Sequence, residues 1–416
     1  MLSCIDHGAA DYLLKPLRHN VVQTMFLVSP KCNQTKEIFT HHDWIYQAVL
    51  DSSSLKRRRT IFELHKLSSG RKLELEKRLG EWDFCPFDLS DTDLVYCVSW
   101  IFDQAFLLPE LTCFKGSSVD FIHDLWNGYH IANPYHNFYH AVDVLQSVYY
   151  ILRQAGLLHQ SQSTSTASHL GYLLTPMDIF ALLLICIGHD LGHPGVTNSF
   201  MINTSTSLSL LYNDISVLES YHAMLLYRLI KKYWLDQLGR QHEVVFRKRV
   251  IQGILATDMA LHKDYMAKIT QLGSVLRQES TQQQLTTIDD DEQRTVMFAA
   301  IIKCADISNI ARPFPVAKLW ANRLVEELHG QDKLEMDLGL QSCLDAFGLP
   351  LDDDRHLPLA LFQQQFITKI GVQLFEATSD IVPELKAWAQ MANQNAALWR
   401  TQDKREGRNQ TSDTPS

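Results

Sequence analysis

Apolar residues recur at helical spacing over 94–108, 142–152, 223–235, 250–259, 296–305, 319–328 and 362–377, and each stretch predicts an amphipathic helix. The run 179–187 is apolar throughout, which predicts a helix buried on all sides. It is about half the roughly 20 residues that a membrane span needs, so no membrane partner is expected. Alternating strand patterns are nearly absent beyond the first thirty residues. Breakers fall between the periodic stretches: a Ser/Thr-rich segment at 161–168, a polar one at 277–294, and Gly, Asp and Pro through 330–358. Residues 401–416 are polar and are expected to be disordered. The pattern predicts one large all-α domain over about 80–400.

The first part of the chain differs. Gly8-Ala9-Ala10-Asp11-Tyr12-Leu13-Leu14-Lys15-Pro16-Leu17 resembles the end of a response-regulator receiver domain, where a short strand delivers a Lys-Pro pair to the phosphoacceptor site. The acidic pocket that completes a receiver is not among these residues, so 1–30 reads as a receiver-like remnant that cannot act as one alone, with an ordinary strand and turn as the alternative. Residues 31–79, with a charged stretch over 56–77, read as a linker and a solvated helix. The short N-terminal segment is thus of mixed type.

Charge narrows the partners. The 416 residues carry 47 Asp and Glu against 38 Lys and Arg, a net charge of −9. The only basic run is 56–59, so neither nucleic acid nor an anionic membrane is expected as the main partner. Eight cysteines form no CxxC pair and no disulfide framework, and no signal peptide is apparent. A reducing, cytoplasmic location is expected.

Eighteen histidines are nearly half the Lys and Arg count, and they cluster. His136 and His140 are four apart, so a helix there would place both on one face. His189-Asp190 closes the apolar run, followed by His193, Pro194, Gly195 and Asn198, with Pro194 and Gly195 expected to end the helix. Glu219 and His222 come next, then Thr257-Asp258, then Asp306 at the end of 296–305. Imidazole and carboxylate donors together suit zinc or a similar divalent ion. A carboxylate closing an apolar helix is costly to bury unless paired or metal-bound. Any one of these histidines alone is more often a satisfied core or surface residue, and His189 and His193 can form a simple hydrogen-bonding pair. The joint order HNxxH, HDxxHxxxxN, ExxH and Asp after an apolar helix is poorly explained by packing.

These motifs, with Tyr212-Asn213-Asp214-Ile215-Ser216-Val217-Leu218-Glu219, Leu255-Ala256-Thr257-Asp258-Met259 and Asp306-Ile307-Ser308-Asn309, resemble the class I cyclic nucleotide phosphodiesterase catalytic domain. That domain is a compact multi-helix member of the HD superfamily, and the resemblance covers about 80–400. It implies that His140, His189, Asp190 and Asp306 hold a tighter metal, Zn2+, and that Asp190 also reaches a second ion, Mg2+ or Mn2+. It implies that His193, Glu219, His222, Thr257 and Asp258 surround the ions and orient their waters. His136 becomes the general acid that protonates the leaving O3′, and neighbouring carboxylates would favour its charged form. Two ions about 3.5–4 Å apart would activate water for in-line attack on phosphorus.

Members of this family read the purine with a glutamine and an aromatic residue three positions later. Phe366-Ile367 and Phe375-Glu376 select Gln363 among three consecutive glutamines, with Phe366 as the clamp. Leu324 is the expected opposing wall, and Tyr135 and Asn309 line the slot. Gln373 stands where Pro is usual, and 330–358 only loosely matches the family's mobile loop. The implied activity is hydrolysis of the 3′ phosphoester of 3′,5′-cyclic AMP to the 5′-nucleotide, ending a cyclic nucleotide signal. Cyclic GMP remains open as a second or preferred substrate. High-affinity cyclic AMP phosphodiesterases can carry receiver-like N-termini, which favours cyclic AMP. The HNxxH pair and the glutamine–aromatic slot count against another HD-type nucleotide phosphohydrolase. Retention of every candidate ligand counts against a non-catalytic module. A dimer is left open.

Overall fold

The computed structural model describes residues 62–158, 170, 174–281, 291–352 and 354–412. The receiver-like residues 1–30, and the linker expected up to 61, lie outside them. Among the described residues the regular structure is helical, with no strand. In chain order the helices are α1 (Ser69–Leu79), α2 (Asp91–Ala105), α3 (Ser118–Gly128), α4 (Phe138–Gln154), α5 (Pro176–Gly188), α6 (Asn198–Asn203) and α7 (Ser207–Tyr212). The long α8 (Val217–Leu255) is followed by α9 (His262–Thr281), α10 (Asp291–Asp306), α11 (Phe314–Asp337), α12 (Leu359–Phe366), α13 (Val372–Ser379) and α14 (Lys386–Ser412).

α5 is the central post. Every residue from Asp178 to Gly188 is buried, as its unbroken apolar run requires, and it packs against α4, α8 and α10. Thr175 and Asp178 form a reciprocal capping box at its start. The Asp178 carboxylate, wholly buried, also accepts from Arg249 of α8 and from Arg294 of α10, the latter at 3.1 Å. One side chain therefore caps the central helix and ties it to two neighbours. Asp178→Ala would leave two largely buried guanidinium groups short of a partner. It is expected to lower the unfolding free energy by about 3 kcal/mol, read by denaturant titration, and a loss within experimental error would refute the assignment.

Elsewhere the elements depart from the sequence pattern in definable ways. The stretch 223–235 and the first part of 250–259 belong to one element, α8, which is broken at Gly239, whose φ of 66° is non-helical, and which ends at Leu255. The stretch 362–377 is three pieces, α12 and α13 joined by a π-helical turn over Ile367–Gly371. α11 continues to Asp337, into the segment expected to be loop. α14 continues to Ser412, beyond the point where disorder was expected. α1 lies ahead of residue 80 and is charged on its outer face, yet Leu75 and Leu79 are buried in the main core. No helix among the described residues is long and apolar enough to cross a membrane.

Candidate metal and acid site

Three helix ends deliver the predicted ligands to one place. Asn137 caps α4: its side-chain oxygen accepts from the backbone N–H of Tyr139 (2.9 Å) and His140 (3.3 Å). His140 thus lies in the first turn of α4, while His136 precedes the cap. The helical-face argument for His136 and His140 is corrected: the two rings approach at 5.9 Å and 85°, but only one belongs to the helix. α5 ends at Gly188, ahead of Pro194 and Gly195, so those residues do not terminate it. His189 is its C-cap, and Asp190 follows in a turn closed by Leu191 N–H to Gly188 O (3.2 Å) and His193 N–H to Asp190 O (2.9 Å). Gly192 makes that turn possible: its φ is +79°, and a Cβ there would lie 2.5 Å from Leu225 Cδ1. Asp306 is the last residue of α10.

The donor atoms converge. His140 Nε2 lies 3.1 Å from Asp306 Oδ1 and 3.5 Å from Asp190 Oδ2. His189 Nε2 lies 3.1 Å from Asp190 Oδ2 and 3.3 Å from Asp306 Oδ1. Four ligands about 2.1 Å from a shared ion in tetrahedral array would be about 3.4 Å apart. The histidines are essentially enclosed, while the Asp306 side chain keeps 23% exposure. His189 Nδ1–H donates to Cys186 O (2.9 Å), which leaves Nε2 as a bare lone pair. That Nε2 and Asp190 Oδ2 are buried polar atoms without a hydrogen-bond partner. Close approach with no hydrogen between them, of an imidazole lone pair and a carboxylate oxygen, is what donors aimed at a common ion produce. The residues present fit a divalent metal.

The surrounding residues are placed as follows. His222 Nδ1–H donates to Leu191 O (2.8 Å), and its Nε2 is 4.0 Å from Asp190 Oδ1. Burial pulls His222 down to about 4, so it is neutral. His193 Nδ1 accepts from Gly195 N–H (2.9 Å), and burial, reinforced by His136, holds its imidazole well below the usual range. Asn198 bridges the two motifs: its Nδ2 donates to Glu219 (2.9 and 3.2 Å), and its Oδ1 accepts from Leu218 N–H (2.9 Å). Burial, then the charge of Asp258, pushes Glu219 up to about 7. Asp258 accepts from Ser216 Oγ (2.7 Å) and from Ala260 N–H (2.8 Å). Thr257 donates its hydroxyl to Ile254 O (2.7 Å), so its hydrogen is committed to the backbone.

One functional residue is absent from the sequence reading: Glu327. Its Oε2 accepts from the backbone N–H of Tyr135 (2.9 Å) and His136 (3.0 Å), and its Oε1 accepts from His136 Nδ1. Burial alone would lower the His136 pKa, but the charge and hydrogen bond of Glu327, then Asp190 and Asp306, raise it to about 9. Burial would likewise raise the Glu327 carboxyl, but His136 and the two N–H donors hold it below its ordinary value. The His136 ring stacks on His193 at 4.0 Å and 19° and keeps 27% side-chain exposure. A protonated imidazole, anchored through Nδ1 and carrying its second proton on Nε2, is a proton donor within reach of an incoming ligand. Glu326, next in sequence, is exposed and pairs with Arg323 at 3.4 Å. Nothing in the sequence distinguishes the two glutamates except helical phase, since Glu327 falls three residues after Leu324 on its face.

The predicted pocket residues are only partly connected by contacts. Asn309 Nδ2 donates to the Tyr135 hydroxyl (2.7 Å). Tyr135 and Trp320 share a buried cluster against which Leu324 packs, and Leu324 also meets the cluster that includes Phe362. Gln363 is buried and Phe366 half-buried on α12. The π turn after them closes onto the Asn309 turn, where a Cβ on Gly371 would lie 2.1 Å from Ile310 Cδ1. The exposed Gln373, in place of Pro, directs Nε2 to Thr368 O at 3.4 Å.

The chain is similar to known proteins over most of its length. Residues 135–392 match the family described as 3′5′-cyclic nucleotide phosphodiesterase. The 3′,5′-cyclic-nucleotide phosphodiesterase regA of Dictyostelium discoideum is 32% identical over 357 residues, which is 84% of this chain and 41% of that protein. The high affinity cGMP-specific 3′,5′-cyclic phosphodiesterase 9A of Drosophila melanogaster is 30% identical, over 79% of this chain and 20% of its own length. The 3′,5′-cyclic-AMP phosphodiesterase 4C of Mus musculus is 29% identical, over 68% of this chain and 38% of its own length. The chain therefore spans less than half of these relatives. Among solved structures, the phosphodiesterase domain of the RhoPDE fusion protein from Salpingoeca rosetta superposes with a TM-score of 0.67 at 26% identity, covering 80% of this chain and 99% of that one. Yeast caPDE2 gives 0.65 at 28% identity, covering 92% and 76%. The helical architecture, the converging histidines and carboxylates, and the span of the match together place this chain in the 3′5′-cyclic nucleotide phosphodiesterase family.

Proposed function

We propose that the protein hydrolyses the 3′ phosphoester of a 3′,5′-cyclic nucleotide, with cyclic AMP preferred over cyclic GMP. The observation that carries the reaction type is the convergence of His140, His189, Asp190 and Asp306 beside a Glu327-anchored, protonated His136. The four converging residues would hold Zn2+, with Asp190 shared toward a second site for Mg2+ or Mn2+. Divalent ions bound there would polarise the phosphoryl oxygens and supply a nucleophilic water at neutral pH. His136 holds on Nε2 the proton that the departing O3′ needs, and Glu327, bonded to Nδ1, keeps the imidazole charged until transfer. His193, neutral and stacked on His136, leaves Nε2–H as a donor toward the anionic centre.

Support for cyclic AMP comes from Asn309. Its Nδ2 is engaged by Tyr135, which leaves Oδ1 free to accept. Adenine carries a donor at the exocyclic position where guanine carries an acceptor. Gln363 and Phe366 would complete the purine slot against Leu324. The buried free thiols of Cys85, Cys97, Cys186 and Cys304 support a reducing compartment such as the cytoplasm. Purified protein with Mg2+ or Mn2+ is expected to show a kcat/KM about tenfold higher for cyclic AMP, the scale of one mismatched hydrogen bond. Turnover of neither nucleotide would sink the proposed activity, and a preference for cyclic GMP would sink the reading of Asn309 alone.

A further inference from the structure

Arg312 is wholly enclosed, yet the chemistry above makes no use of it. Its Nη2 lies within hydrogen-bond distance of Asp143 Oδ1 (2.9 Å), Gln146 Oε1 (2.6 Å) and Ser147 Oγ (2.9 Å) on α4, and its Nη1 donates to Trp82 O (3.0 Å), while the guanidinium stacks over the Trp82 ring at 4.1 Å. A fully buried ion pair is a weak source of stability, because apolar side chains of similar volume often serve as well. What a guanidinium offers instead is a rigid fork of donors with fixed angles.

The fork joins two elements of the site. Asp143, Gln146 and Ser147 follow His140 by three, six and seven residues on the same helix. Arg312 ends the turn 307–312, which leaves Asp306 and contains Asn309. A second link runs directly between these elements, Ser147 Oγ to Ser308 Oγ at 2.7 Å. The far side of the turn is held by Asn395 of α14, whose Nδ2 donates to Ile310 O and Arg312 O, each at 2.8 Å. The turn is therefore fixed in position with no freedom to slide along α4.

We infer that Arg312 is a positioning residue for the metal centre: its guanidinium locks the turn 307–312 onto α4, and so sets the separation of His140 and Asp306 and the placement of Asn309. This rests on the metal-dependent reading above. The test compares the wild-type chain with Arg312→Met, with Arg312→Met/Asp143→Leu and with Ser308→Ala. Zn2+ affinity is read by competition with a fluorescent chelator, the unfolding midpoint on metal-free protein, and KM and kcat on the loaded enzyme.

The single Arg312→Met is expected to lose stability, since Asp143 is left buried and uncompensated. The double variant removes both charges and should recover the metal-free midpoint, yet bind Zn2+ roughly tenfold or more weakly and show a raised KM. Ser308→Ala should weaken Zn2+ binding at an unchanged midpoint, and it decides the matter if the double variant does not fold. Wild-type Zn2+ affinity in the double variant, or in Ser308→Ala where the double does not fold, overturns the inference and reduces the network to core packing. A wild-type chain that binds no divalent ion overturns the metal-dependent reading itself, and the inference with it. Zn2+ binding without turnover of either nucleotide defeats only the proposed activity.

Discussion

Asp306→Ala is expected to strip the protein of its tighter metal and to abolish hydrolysis of both cyclic nucleotides. The Asp306 carboxylate lies 3.1 Å from His140 Nε2 and 3.3 Å from His189 Nε2. Its removal leaves two neutral imidazoles and the single charge of Asp190 to hold a dication. Asp306→Asn keeps the shape and removes the charge, so it separates ligation from packing. Both variants should fold, since the side chain is the terminal residue of α10 and its hydrogen-bond contact is with the site itself. Metal analysis of purified protein gives the readout, and full metal content with full rate in Asp306→Ala would refute the ligand assignment. Chelation of the wild type should reproduce the phenotype and also lower its unfolding midpoint, because an ion that binds the folded state adds its binding free energy to stability.

The second large effect belongs to proton delivery. His136→Ala is expected to retain metal while kcat falls by roughly 10²–10⁴. Its partner has a more specific signature. With the His136 pKa at about 9, the acid form is populated below that value and lost as pH rises through it. The rate of the metal-loaded enzyme should therefore show an alkaline limb above the ordinary imidazole range and no higher than about pH 9. Glu327→Gln removes the largest raising influence. Asp190 and Asp306 also raise His136, but as metal ligands their charge is offset by a bound cation. Burial then prevails and draws His136 below its ordinary value of about 6.5. The alkaline limb should move to lower pH, with metal content unchanged. An unmoved limb in Glu327→Gln would remove Glu327 from the mechanism.

Much of the site could be read in the sequence because its residues stand at helix ends. A helix boundary leaves a mark: the apolar run stops and a His or Asp follows, as at His189-Asp190 and Asp306. Asn137 was visible in the motif, and its capping of α4 explains why that residue type lies between the two histidines. Glu327 and Arg312 left no such mark. Glu327 lies within α11 among other charged residues, where only its phase separates it from Glu326, and Arg312 lies in a turn with no other charged residue within five positions. A 3.6-residue count passes through the break at Gly239 and the π turn over Ile367–Gly371 without notice. α9 and α14 were not anticipated, although Ile269, Leu272 and Leu276 on the first and Trp388, Ala392, Ala396 and Trp399 on the second recur at helical spacing.

One helix joins recognition to chemistry. Leu324 and Glu327 lie three residues apart on α11, so they share a face and move as one body. With Leu324 as the proposed wall of the purine slot, a base that forces it outward would draw Glu327 away from His136 as well. Misfit at the purine would then become a misplaced proton, expected as a lower kcat more than as a raised KM.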